Sequence, residues 1–483
     1  MLLSLVATLA YVTGFFCLNL AVAMLLPMAI DIYDGNPDWQ AFFASAIFVG
    51  VLSLLVIVTT RGRRATFSLR FGFLLVNVLW VATTIVSALP FMLSGLHASL
   101  ADAVFESVSG LTTTGSTVLS GLDSMPRGLL MWRSVTQWLG GIGIIAMGVL
   151  LFPFLQVGGM QFYRMESSVQ SDKPVAKFAE FSRALVLIYV VITLANIVCY
   201  MFAGMDLFDA VNHAMTTIST GGYSTHDKSM AYFGRPVHVV AMVFMFIGAM
   251  PFVVFLRALV SKDIRKAYDP QITGLLVIFA LFTLLLTGSA MLFSHVGAGE
   301  VALDALFNVI SVVTTTGFVS ADYSQWGPLA IAAIVVATFL GGAAGSTAGG
   351  VKTYRLIILF QSLRVALKEL LYPHGVFVVR YDGRKVTDRA VRSITMFLAM
   401  YVVILLVMTM ALAATGLDLE TSLSGSLTAL TNTGPGIGSV IGPVGNFATL
   451  SDPAKWVLSL GMLAGRLEIM TVLVLTTPAF WRT

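Results

Sequence analysis

Charged residues make up only 11% of this 483-residue chain, against roughly 25% in an ordinary soluble domain. That scarcity excludes a water-soluble fold, and the 57% hydrophobic content points instead to an integral membrane protein. Cysteine is nearly missing. Cys17 and Cys199 both sit within apolar runs, which excludes a disulfide framework and any zinc spacing and leaves packed thiols. The histidines His97, His213, His226, His238, His295 and His374 are scattered, with no pair at ligand spacing. Neither a metal centre nor an intramembrane enzyme, which would need a nucleophile and base or paired carboxylates, is expected. Alternation of apolar and polar residues is also lacking, which removes a transmembrane β-barrel.

Continuous apolar runs take its place. Leu2 to Ile30, Trp39 to Thr60, Phe71 to Leu93 and Ala184 to Ala203 each meet the length of about 20 residues that a spanning helix needs. The first run has no basic n-region and is too long for a signal peptide, so it reads as a retained helix. The net charge is +4, but its placement says more: Arg61 to Arg70, Arg164 to Arg183, Arg257 to Lys266, Lys352 to Lys368 and Arg380 to Arg392 hold 21 of the 28 basic residues. Such clusters between spans are topology signals that mark the cytoplasmic side and not a nucleic-acid surface. The N-terminus and C-terminus are then cytoplasmic, and the acidic loop Asp31 to Asp38 lies outside.

One motif recurs four times, each time after an apolar segment too short to cross a membrane. The copies are Thr112-Thr113-Thr114-Gly115, Ser219-Thr220-Gly221-Gly222, Thr314-Thr315-Thr316-Gly317 and Thr431-Asn432-Thr433-Gly434. Their glycines are 107, 95 and 117 residues apart (222−115, 317−222, 434−317). A single copy would read as small residues easing helix packing; four copies behind matching segments read as a ring. Glycine permits the backbone geometry that turns carbonyls inward, threonine adds hydroxyl ligands, and a ring of oxygens is how a protein replaces the water around a monovalent cation.

The fold class expected is all-α and membrane-embedded: two leading helices at 1–66, then four repeats of helix, re-entrant half-helix, loop and helix at 67–160, 161–264, 265–375 and 376–483. That gives ten spans and four half-helices. Asp102, Asp209 and Asp304 stand at the starts of three half-helices, where a carboxylate suits the positive end of the dipole. The negative ends then aim at the loops, which favours cations.

Two anomalies remain. The third repeat carries Gly341, Gly342, Gly345, Ser346, Thr347, Gly349 and Gly350 within its last helix. The run resembles a phosphate-binding loop, but Val351 separates Gly350 from Lys352 and no strand precedes it. Glycines cost a helix about 1 kcal/mol each, so the helix is expected to break here, beneath the ring, in a loop able to obstruct ions. Arg466 lies ten residues after Trp456, near mid-membrane, where an arginine is costly unless it faces protein or water. Glu468 lies on another helix face, so Arg466 is expected to bond the glycine-rich loop.

These motifs together resemble the Trk/Ktr/HKT superfamily of potassium transporters over essentially the whole chain, and its bacterial Trk-type subunits in having two leading helices. The resemblance implies potassium uptake across the bacterial inner membrane, potassium bound at the sixteen loop residues, no organic cofactor, a homodimer in lipid, and a cytosolic nucleotide-binding ring of the TrkA type. It also implies a gate at Gly341 to Gly350 with Arg466. Gly115 keeps the potassium-type pattern, whereas Gly221 and Asn432 depart from a uniform repeat. The rival is a symporter coupling potassium or sodium to protons or sodium, for which Glu106 and Glu468 are the candidate carboxylates.

Overall fold

The computed structural model describes residues 2–62, 68–147, 174–261, 268–293 and 298–482. Among the described residues the regular structure is helical apart from one hairpin of two two-residue strands. Leu2–Ala23 (α1) and Leu25–Tyr33 (α2) form one leading run, followed by Trp39–Thr60 (α3) and Leu69–Leu93 (α4). Then come Leu100–Leu111 (α5), Arg127–Ala146 (α6), Pro174–Phe202 (α7), Leu207–Ile218 (α8), Arg235–Ala249 (α9) and Phe252–Ser261 (α10). The third repeat holds Pro270–Phe293 (α11), Ala298–Val313 (α12), Pro328–Leu340 (α13) and Thr353–Leu371 (α14). After the hairpin of Arg380–Tyr381 (β1) and Arg384–Lys385 (β2) follow Asp388–Ala413 (α15), Leu419–Thr431 (α16), Gly438–Ile441 (α17), Asp452–Arg466 (α18), Ile469–Thr476 (α19) and Pro478–Trp481 (α20). Leu155, Arg63, Arg64, Arg164, Lys173, Lys262, Arg265, Lys266 and His295, with the expected repeat boundaries at 66, 160 and 264, lie outside the described residues.

Among the described residues six helical runs are long and apolar enough to cross a membrane, or eight if two bent pairs each count as one span, against the ten spans expected. Four others are short: α5, α8, α12 and α16 have 12, 12, 16 and 13 residues. At 1.5 Å per residue they reach about 18–24 Å, less than a hydrocarbon core of about 30 Å. Their connectivity closes a circle. Helix α6 packs on both α5 and α8, α9 on both α8 and α12, α13 on both α12 and α16, and α18 on both α16 and α5. Each of these four helices is thus a wedge between one short helix and the next.

The spans expected to be continuous in the second and fourth repeats are broken. Helices α9 and α10 meet at 87°, because Pro251 has no N–H and pushes Met250 out of the helical region, to φ −80° and ψ 152°. Helices α18 and α19 meet at 108° around Glu468, whose φ is +60°. Across that elbow Glu468 N donates to Gly465 O at 3.3 Å, and the Glu468 carboxylate reaches Arg355, 2.7 Å away. The third repeat breaks from Gly341 to Lys352, between α13 and α14.

The aspartates expected to cap half-helices are placed differently. Ser99 caps α5: its Oγ accepts from Asp102 N at 3.1 Å and donates to the Asp102 carboxylate at 2.8 Å. Asp206 caps α8 by accepting from Asp209 N at 2.7 Å. Asp304 is not at a start at all, since α12 begins at Ala298; its carboxylate accepts from Ser320 Oγ at 2.9 Å. Asp31 belongs to α2 and not to an exposed loop. It is fully buried and accepts from Gly128 N at 2.8 Å at the start of α6, where a carboxylate meets the positive end of that helix.

Candidate functional site

The four Thr/Gly loops leave the C-terminal ends of α5, α8, α12 and α16 with one shared backbone geometry. The second residue of each is left-handed although none is glycine: φ is +52° at Thr113, +51° at Thr220, +56° at Thr315 and +56° at Asn432. The fourth is left-handed too, at Gly115, Gly222, Gly317 and Gly434. A non-glycine residue held in that region costs about 1–3 kcal/mol, so Thr113, Thr220, Thr315 and Asn432 at equivalent positions mark a geometry that the surroundings enforce. Backbone bonds repeat with it, as Thr114 N to Ser109 O, Gly221 N to Thr216 O, Thr316 N to Ser311 O and Thr433 N to Thr428 O. Asn432 fits because asparagine tolerates this region, and its Nδ2 donates to Thr114 Oγ1 and Met462 O, both at 2.9 Å.

The loops also touch one another in cyclic order. A Cβ on Gly115 would lie 2.2 Å from the Gly221 carbonyl oxygen, on Gly222 1.8 Å from that of Thr316, on Gly317 2.2 Å from that of Thr433, and on Gly434 2.9 Å from that of Thr114. Each glycine therefore admits the third carbonyl of the following loop, and the fourth loop returns to the first. Within three loops the first and third hydroxyls pair: Thr112 with Thr114 at 2.8 Å, Thr314 with Thr316 at 2.8 Å and Thr431 with Thr433 at 2.7 Å. The second loop, with Ser219 and Gly221, has no such pair.

Behind the loops, Glu106, His213 and Asn308 each stand nine residues before their glycine (115−106, 222−213, 317−308) and hold the strand that follows it. Glu106 accepts from Val118 N at 3.0 Å, His213 Nε2 meets Ser224 Oγ at 2.9 Å, and Asn308 accepts from Ser320 N at 3.3 Å. Glu106 also binds Arg133 Nε at 2.8 Å, while Arg133 Nη1 donates to Ser224 O at 2.9 Å and its guanidinium lies over the Tyr223 ring at 4.0 Å. Both ends of this ion pair are buried. The sequence reading missed Arg133; an arginine inside an expected span, with Gln137 one turn later, was the available signal.

The glycine-rich segment lies directly against the loops. Gly341, Gly345 and Gly350 are left-handed, and Gly342 is packed too closely on Ala348 to accept a Cβ. Ser346 Oγ closes a turn by donating to Ala343 O at 2.6 Å. Three of the four loops are bonded: Thr220 Oγ1 donates to Thr347 Oγ1 at 3.2 Å, Gly349 N to Thr315 Oγ1 at 2.7 Å and Gly350 N to Thr431 O at 2.9 Å. The segment also occupies the elbow of the second repeat, with Phe252 N donating to Gly345 O at 3.0 Å and Ala343 N to Ala249 O at 3.0 Å. Backbone groups freed by one broken helix are thus satisfied by another.

Arg466 Nη1 donates to Thr347 O at 2.9 Å, and its Nε and Nη2 have no hydrogen-bond partner among the described residues. Lys352 Nζ turns back to Ala348 O. A narrow cavity lies here, lined by Ser346, Gly349, Lys352, Asn432, Arg466 and Glu468 among others. Glu468 itself is held by Arg355 Nη2 at 2.7 Å, and that guanidinium also covers the Phe397 ring at 3.8 Å.

On the far side of the loops, Asp123, Asp209, His226 and Asp227 clasp two of them together. His226 Nδ1 meets Asp123 Oδ1 at 2.5 Å and Nε2 meets Asp209 Oδ2 at 3.1 Å, with the ring stacked on Tyr232 at 3.6 Å. Asp227 Oδ1 accepts from Gly121 N at 3.1 Å and Leu122 N at 3.2 Å. The His226 hydrogen bond holds the Asp123 carboxyl below its ordinary 3.8. A lowered folded-state value means the contact stabilises above the unfolded pKa and fades as pH falls through the folded one. Asp123→Asn should therefore lower the melting temperature in detergent at pH 6, and the gap to wild type should close below about pH 4. A gap that widens on acidification would contradict this.

Among the described residues no group of three or more His, Cys, Asp or Glu side chains is placed to hold a metal ion. A family model described as TrkH, cation transport protein, matches residues 38–482. The chain is 43% identical over 474 residues to the Trk system potassium uptake protein TrkI of Halomonas elongata, covering 96% of this chain and 95% of that protein. It is 34% identical over 479 residues to the Trk system potassium uptake protein TrkH of Escherichia coli K12, covering 98% of both. Among solved structures, the potassium transporter TrkH from Vibrio parahaemolyticus matches with a TM-score of 0.91 at 33% identity, covering 99% of both chains. With the wedged ring of short helices and the breaks around it in view, these matches place the chain in the TrkH family of cation transport proteins.

Proposed function

We propose that this chain is the pore of a Trk-type potassium uptake system, in which the four loops form the selectivity filter and the segment Gly341 to Gly350 is an intramembrane gate. The cyclic contact between each loop glycine and the next loop's carbonyl carries the reading, since it brings four sets of backbone and threonine oxygens around one axis. The negative ends of four short helices add to the cation preference. Potassium is the cargo, in keeping with the names of the relatives. A ring of carbonyl and hydroxyl oxygens needs no organic cofactor to bind it.

The gate reading rests on the bonds that join Thr347, Gly349 and Gly350 to three filter loops, and on the buried charge of Arg466 beside them. A cation leaving the filter on this side meets the segment and a guanidinium. On this reading the membrane is the bacterial inner membrane, and the basic clusters support a cytoplasmic face on this side. There the homodimer would meet a nucleotide-binding ring of the TrkA type, and a pull on α14 would draw the segment aside. Symport has less support: Glu106 and Glu468, the carboxylates it would use, are each paired with an arginine.

The test is potassium, rubidium and sodium flux in proteoliposomes. Arg466→Ala removes the bond to Thr347 O and the positive barrier; a lost hydrogen bond to a charged group is worth about 1.5–3 kcal/mol, so potassium flux should rise about tenfold or more. Deleting residues 345–349 should raise it as well. Unchanged flux in both variants would sink the gate. A pH step at constant potassium gradient should leave wild-type flux unaltered, whereas proton-driven accumulation would favour symport.

A further inference from the structure

The second filter loop lacks the hydroxyl pair that braces the other three, and a side chain from outside the loop stands in the vacant place. Gly221 has no left-handed φ, unlike Gly222 beside it, so its backbone does not call for glycine. What a side chain would displace is Gln137: a Cβ on Gly221 would lie 2.4 Å from Gln137 Cδ, 2.4 Å from its Oε1 and 2.8 Å from its Nε2. The amide is bonded at both ends to this loop, with Nε2 donating to Gly221 O at 2.7 Å and Oε1 accepting from Tyr223 N at 3.1 Å. The Gly221 carbonyl is also the one that approaches Gly115 of the first loop. Gln137 is fully buried on α6, one turn after Arg133, which grips Ser224 O of the same strand. Helix α6 therefore turns one face to the back of the second loop.

We infer that Gln137 is a specificity-determining positioning residue, replacing from outside the loop the threonine brace that Gly221 cannot supply. In the other loops the third residue's hydroxyl bonds the first residue's hydroxyl and so fixes the third carbonyl from within. In the second loop that carbonyl is fixed by the Gln137 amide. The exchange is a matched pair: glycine at 221 makes room for the amide of glutamine at 137, and a side chain at 221 would have to displace that amide from its two bonds to the loop. The inference rests on the filter reading above, because it assigns Gln137 a part in holding the filter's oxygens.

A double-mutant cycle in proteoliposomes tests it, reading the potassium-to-sodium flux ratio, with folding checked by monodispersity in detergent. Gln137→Ala should lower the ratio about tenfold, the size expected for losing one or two hydrogen bonds that position a ligand. Gln137→Glu keeps the shape and the acceptor but loses the donor to Gly221 O, so it should lower the ratio as well. Gly221→Thr alone should lose flux through its collision with Gln137. The double variant Gln137→Ala with Gly221→Thr should recover a ratio within about threefold of wild type, since it rebuilds a hydroxyl pair with Ser219. Wild-type ratios in both Gln137→Ala and Gln137→Glu, or a double variant no better than the worse single, would overturn the inference. Gly115→Ser run alongside separates the two readings: if it loses selectivity while the Gln137 variants keep theirs, the filter stands and only the role of Gln137 falls.

Discussion

Gly222→Ala should abolish selective potassium flux, lowering it by at least about a hundredfold. A Cβ there would sit 1.8 Å from the Thr316 carbonyl oxygen and 2.9 Å from its carbon, the closest approach among the filter glycines. Both atoms are backbone, so no flexible side chain can swing away, and the φ of +74° adds the strain of a left-handed alanine. The collision can be relieved only by moving the third loop away from the second, which displaces a carbonyl that the filter reading makes a ligand. Gly383→Ala is the control. Its φ of +73° is nearly the same and a Cβ there meets nothing within 4 Å, so it should transport normally. Normal selectivity in Gly222→Ala, with the protein correctly folded, would remove these loops from the permeation path.

The second large effect is expected at Glu106 and Arg133. Removing one partner of a buried ion pair leaves an uncompensated charge and costs about 3–5 kcal/mol. Arg133→Leu would strand Glu106, which keeps neutral partners such as Thr117 Oγ1 and Val118 N, and would free Ser224 O in the neighbouring loop. Thermal unfolding in detergent should show a large loss for Arg133→Leu and for Glu106→Leu. The double replacement should be milder than the sum of the two, because it strands neither charge. Strict additivity would mean that the pair is not coupled as its 2.8 Å contact requires.

Much of this architecture was legible in one sequence. The apolar runs, the short segments before each Thr/Gly motif and the glycine-rich break are all local in origin, because helix length, hydropathy and glycine content act over a few residues. The helix caps were read one turn late, since Ser99 and Asp206 lie just outside the apolar segments that drew attention to Asp102 and Asp209. Asp304 lies inside its helix because the helix already begins at Ala298, a start that the apolar run alone does not mark. The elbow at Pro251 has a local cause, a proline within the apolar run. At the Glu468 elbow the carboxylate's partner is Arg355, distant in sequence.

Sequence alone determined that this chain lives in a membrane, repeats a helix-and-loop unit and carries loops suited to a cation. Those properties follow from composition and short-range backbone preference. The tertiary structure decided which glycine faces which carbonyl, that Gln137 takes the room left at Gly221, and that Arg133 and Arg355 claim the two carboxylates that symport would use. Close packing and buried charge join residues of different repeats, and nothing in the local sequence specifies the partner.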